Sequence, residues 1–219
     1  ELDRGCTFWL AGVSVASMWK VARYLLWCEV PELVEGDLVV SHHRQMLKLA
    51  QKLNIEVPAI KDYAGDKESV KGLRSSLADR LSVPTKAIKA VCTSVGLYGS
   101  NGRQWVHDNS QQDPPPEATH MAEESKAVSE ALWAAESEQR QETITKRGSR
   151  SPVVTNLCMH LMSEERKDLE KVDEAITRRG GEVFAWLGDC SYSWGVCCGW
   201  TTRFAQVEAD LERQGVLVE

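Results

Sequence analysis

Two groups of residues in this chain have types and spacings that could do chemistry. The first is GDCSYSWGVCCGW, residues 188–200, where Cys190, Cys197 and Cys198 stand among serines, a tyrosine and two tryptophans. A cysteine attacks as its thiolate and needs a base in reach, yet the last histidine of the chain is His160. Zinc would find soft ligands in Cys158, His160, Cys190, Cys197 and Cys198. Residues two apart diverge on a helix, however, and adjacent cysteines rarely chelate one ion together. His42 and His43 follow Ser41 and read as a helix entry with a serine cap. The chain has no GxxxxGK[ST] phosphate loop, no HExxH and no Gly-x-Ser-x-Gly. This group therefore predicts buried, reduced thiols, with no catalytic residue, no metal and no cofactor. The second group is basic. Arg44, Lys48 and Lys52 recur every four residues and so share one ridge of a helix, and SSLADRLSVPTKAIKAVCT, residues 75–93, carries Thr85, Lys86, Lys89 and Thr93. Lysines and arginines of this kind neutralise phosphates.

In that second stretch Ala78 is followed at plus four by Ser82, at plus ten by Ile88 and at plus thirteen by Val91. The spacing resembles the helix-turn-helix family, in which a small residue, a tight-turn residue and two aliphatic positions hold two helices at a steep angle. Leu77, Leu81 and Val83 fill the remaining core positions. The resemblance covers about 20 residues and implies that Thr85, Lys86, Lys89 and Thr93 face outward toward phosphates or base edges. It departs from the family where Ser82 stands in place of the usual glycine, and Pro84 lies near the start of the second helix, where its missing N–H is harmless. Asp189-Cys190-Ser191 resembles the start of the signature of NlpC/P60-type cysteine peptidases, which would make Cys190 a nucleophile. Tyr192 replaces the glycine of that signature, and the histidine that should follow is missing.

These residues must be positioned by helices. LAQKLNIEVPAIK, 49–61, and LADRLSVPTKAIK, 77–89, share Leu, Ala, Leu, an aliphatic, Ala, Ile and Lys at the same offsets, seven of thirteen positions, 28 residues apart. The echo predicts a duplicated helical hairpin, and the same spacings suit either a nucleic-acid surface or a plain pair of packed helices. Arg103, Gln104, Trp105 and His107 lie in GSNGRQWVHD, read as a flexible loop. Such a loop either stacks single-stranded bases or is anchored by a buried tryptophan. DNSQQDPPPEAT, from 108, reads as an extended connector between two domains, giving 1–107, a linker over 108–118, and 119–219. A long helix is predicted from Thr119 to Gly148, its second half polar all round and projecting into solvent. Another begins at Ser151-Pro152 and ends at Gly180-Gly181, packing on the first as an antiparallel hairpin. EVFAWLGDCSYSW reads as a β-hairpin about Gly188-Asp189, and TTRFAQVEADLERQG as a last helix closing at Gly215. The fold class expected is mainly α, with helical hairpins in the N-terminal half and one small β element in the C-terminal half.

Composition limits the classes of function. In 219 residues, 42% are hydrophobic and 26% charged, ordinary values for a globular chain that can bury a core without cross-links. Seven irregularly spaced cysteines argue against a disulfide framework and for an intracellular chain. The apolar run 6–19 is too short to cross a bilayer before Lys20 and Arg23, and reads on to Val30 as a helix that is buried or covered by a partner. Eight tryptophans against three phenylalanines favour interface anchoring. Residues 38–107 hold eleven basic and five acidic groups, whereas 108–219 hold twelve and twenty-one. The expectation is a non-enzymatic protein that binds DNA or RNA through Arg44, Lys48, Lys52, Thr85, Lys86, Lys89, Thr93 and Arg103. Its acidic C-terminal half would mediate self-association or hold a protein partner, or serve as an internal partner for the basic half. No small-molecule substrate and no membrane is expected. The alternatives are an assembly subunit of the coat or nucleocapsid kind without nucleic-acid contact and, third, a cysteine hydrolase.

Overall fold

A computed structural model describes residues 9–10, 13–14, 34–109, 113–146, 148, 151–187, 190–195 and 200–218, with side chains over 38–109, 113–146, 148, 151–183 and 203–218. The chain is mainly helical, and it divides into two compact units: residues 42–164, and residues 1–41 with 165–219. Among the described residues, no helix is long and apolar enough to cross a membrane.

The helical unit opens with α1 (Ser41–Lys52), α2 (Pro58–Tyr63), α3 (Lys67–Leu81) and α4 (Thr85–Val91). The echo in the sequence is an echo in the backbone. Asn54 and Ser82 both take the left-handed conformation, with φ 55 and 53. Each ends its helix through the same two bonds: Asn54 N–H to Gln51 O and Ser82 N–H to Asp79 O, both 3.2 Å, then Ile55 N–H to Ala50 O at 2.9 Å and Val83 N–H to Ala78 O at 3.0 Å. This is the Schellman ending, which satisfies carbonyls that a helix terminus would leave bare. After each turn an isoleucine is buried completely, Ile60 and Ile88, and the next residue, Lys61 or Lys89, is exposed.

Beyond α4 the helix loosens into a π-helical segment, Cys92–Leu97. It lies tightly on α6 (Pro116–Ala135): a Cβ on Gly96 would come within 3.1 Å of Met121 Cε, so glycine is what lets the two backbones approach. GSNGRQWVHD is not a loop throughout, because Arg103–Asp108 form the short helix α5. Gly102 enters it at φ 66, and a Cβ there would meet Pro114 Cγ at 2.8 Å. Trp105 is buried and its Nε1–H donates to Asp113 O at 3.1 Å. The proline run therefore packs inside the helical unit, with Pro115 buried and Pro116 beginning α6. The division into units falls near residues 41 and 164 rather than at 108–118.

The long helix expected from 119 to 148 is broken. α6 stops at Ala135, and α7 (Glu138–Lys146) restarts after Ser137, whose Oγ accepts from Arg140 N–H. Gln141 Nε2 donates back to Trp133 O at 2.7 Å, and Ile144 is buried, so α7 folds onto the unit instead of projecting from it. α8 (Pro152–Arg178) begins behind Ser151 as expected, and its first half belongs to this unit. There the buried Asn156 accepts from Arg140 Nε at 3.2 Å and donates to Glu136 at 3.2 Å, tying α7 to α8.

The second unit has a core of Leu169, Val172 and Ile176 from α8 with Phe204, Val207 and Leu211 from α9 (Trp200–Arg213). Arg179 clamps the two helices through Asp210, at 2.5 Å. The expected hairpin is present as β4 (Gly181–Leu187) and β5 (Cys190–Gly195), with Leu187 opposite Cys190. A third strand, β3 (Val34–Asp37), pairs antiparallel with the other edge of β5, giving the order β3-β5-β4. The buried helix expected over 6–30 is corrected at its start, where β1 (Trp9–Leu10) and β2 (Val13–Ser14) pair antiparallel; the β-branched and aromatic residues of WL and VS suit strands. The remainder of that stretch, and Asp189, Cys197 and Cys198, lie outside the described residues.

Candidate nucleic-acid interface

α4 owes its position to the turn before it. Ser82 reverses the chain, Pro84 stands at the N-cap with φ −64 and ψ 144, and Ile88 and Val91 seat the helix on the core. What remains outward is Thr85, Lys86 and Lys89, all exposed. Neither lysine makes an ion pair among the described residues. Thr93 lies further along the same face but turns back, its Oγ1 donating to Lys89 O at 3.0 Å.

The remaining basic residues predicted for the interface are more engaged. Arg44 is half-buried and its Nη1 donates to Gly65 O at 3.3 Å, fastening α1 to the bend after α2. Lys48 is half-buried and also engaged. Lys52 is exposed, near enough to α8 that its charge helps to lower the pKa of His160, behind the larger effect of that histidine's burial. The ridge of every fourth residue thus exists on α1, with its first two members turned to the protein. Arg103 is exposed on α5, a different helix. Trp105 beside it is buried, so it offers no stacking face.

The acidic residues of α6 meet the basic hairpins directly. Both carboxylate oxygens of Glu117 accept from Arg80 Nη2 at 2.7 Å; partial burial works against its ionisation, but the guanidinium wins and holds the carboxyl below its ordinary range. Glu124 reaches the first turn of α2, its two oxygens accepting from Ala59 N–H at 2.8 Å and Ile60 N–H at 2.9 Å. A carboxylate there satisfies orphan donors and meets the positive end of the helix. As a result residues 42–164 carry sixteen basic and fifteen acidic groups, nearly balanced. α4 is the exception, because no acid occurs between Ser82 and Cys92.

Two further features lie in this unit. A cleft of about 490 Å³ opens beside Leu97, Tyr98, Lys126, Val154 and Leu157. Its two buried serines, Ser125 and Ser129, already donate to Leu97 O and Lys126 O. The second is a polar group of His43, Tyr63 and Cys92, all buried, with the half-buried Arg74, which no spacing in the sequence brings together. Burial holds the Cys92 thiol up at about 12, far from the thiolate a nucleophile requires. Cys158 and His160 stand two apart on α8, and among the described residues no three His, Cys, Asp or Glu side chains gather as a metal site. Sequence reasoning also passed over Lys61, although the repeat aligns it with Lys89. The chain matches no family model, no curated protein and no solved structure.

Proposed function

We propose that this protein binds nucleic acid without catalysis, through the phosphate backbone and by way of the outer face of α4. The observation that carries the reading is the pair Lys86 and Lys89: exposed, outside any ion pair among the described residues, with Thr85 beside them on a helix seated by a left-handed turn. Affinity of this kind comes from counterion release, so a local patch suffices in a chain whose net charge is −6. Lys52 and Arg103, both exposed, supply further cations in the same unit. Self-association has less to support it: Met162 is the one exposed large apolar side chain among the described residues, whereas assembly surfaces present contiguous apolar patches. The test is titration of fluorescent duplex DNA and RNA at low and moderate salt. Binding that weakens steeply with salt is expected, and a chain that binds neither duplex at low salt contradicts the reading.

A further inference from the structure

His43 lies in α1 at 3% exposure. Its Nε2 stands 3.3 Å from Cys92 O in the π-helical segment, and its ring is 4.6 Å from that of Tyr63 in α2, tilted by 50°. Arg74 of α3 completes the group, donating from Nε to Tyr63 Oη at 2.9 Å with its guanidinium 5.2 Å over the tyrosine ring. The imidazole thus touches two elements beyond its own, and a third is joined to it through Tyr63. A neutral ring suits the place, since it can donate one hydrogen bond to the Cys92 carbonyl and stack on Tyr63. A charged ring does not suit it: the titratable and charged groups around it are His42, Tyr63, Arg74 and Cys92, and none is a carboxylate. Glu117 is the acid whose field reaches Cys92, and Arg80 already engages it.

We infer that His43 is an acid-sensitive latch, its neutral imidazole fastening α1 to the π-helical segment and to the Tyr63–Arg74 pair of α2 and α3, and its protonation loosening them. Burial is the main cause that takes His43 down to about 4 from an ordinary 6.5, helped by the charges of Arg74 and His42 against the raising effect of the Cys92 carbonyl. The unfolded chain accordingly takes up this proton first as pH falls. The stability that His43 contributes is complete above 6.5 and is lost on descending toward 4. Between pH 7.5 and 5 the unfolding equilibrium constant should rise about thirtyfold from this one residue.

The test is urea unfolding of the full chain at pH 7.5 and 5.0, with His43→Phe, His43→Gln and, as a control, His160→Gln. His160 is also held below its ordinary value by burial, but it is only half-buried. His160→Gln should show the rise of about thirtyfold on acidification that His43 supplies, and wild type that rise increased by the smaller share of His160. His43→Phe should lose the thirtyfold part and keep only the smaller rise due to His160, and His43→Gln, which keeps a donor for Cys92 O, decides the matter if the phenylalanine does not fold. A wild-type chain with no acid dependence, or a folded His43 variant that keeps the whole of it, overturns the inference.

Discussion

The two hairpins of the helical unit are built around the same turn and end in different circumstances. At Asn54 and at Ser82 the chain makes the same left-handed ending, with the same hydrogen bonds and a buried isoleucine six residues later. After the first turn, Glu124 from α6 occupies the start of α2, and Asp62 follows Lys61 directly. After the second turn no acid intervenes, and Lys86 and Lys89 stand exposed on α4. The turn is thus local chemistry, encoded in a dozen residues, whereas the start of α2 is capped by a carboxylate more than 60 positions away. The two scaffolds are alike, and α6 meets them differently, capping the start of α2 with Glu124 and pairing Glu117 with Arg80 in the helix before α4.

That comparison can be broken at several points. The buried isoleucines test the likeness: Ile60→Ala and Ile88→Ala should each cost about 3 to 4 kcal/mol in urea unfolding, since both side chains are fully enclosed. A large difference between them would mean that the copies are not equivalent scaffolds. Glu124→Ala tests the difference. It removes two charge-assisted bonds from the start of α2 and should cost about 2 kcal/mol, while Glu123→Ala, at an exposed neighbour, should cost almost nothing. The smallest effect lies at the turns. Ser82→Gly relieves a left-handed serine and should stabilise by about 0.5 kcal/mol, measured as a raised thermal midpoint. Asn54→Gly should change less, because asparagine tolerates that conformation.

The turns were legible because their signals are local: Leu77, Ala78 and Leu81 set the first helix, Ser82 the reversal and Pro84 the restart. So were the ends of α8 and α9, where Ser151-Pro152 opens one and Gly180 and Gly215, at φ 78 and 75, close both. The alternation of EVFAWL and CSYSW revealed β4 and β5 for the same reason. β3 escaped notice because VEGD, with two acids and a glycine, has little strand preference of its own and forms by pairing with β5. The break at Ser137 was hidden in a run of helix formers. The proline run read as a connector because proline forbids helix interiors, but Trp105 and Gly102 draw it into the core. Least legible was the group around His43, whose members are separated by up to 49 positions and are brought together by packing alone.

The central claim is that α4, and not α2, is the face that meets phosphates. It is tested most directly by the salt dependence of nucleic-acid binding in Lys86→Ala/Lys89→Ala beside Lys61→Ala, with far-UV circular dichroism to verify folding. The slope of log K against log salt should fall by about two units in the double variant and stay at the wild-type value in Lys61→Ala. A folded double variant that binds with unchanged affinity and slope would contradict the account.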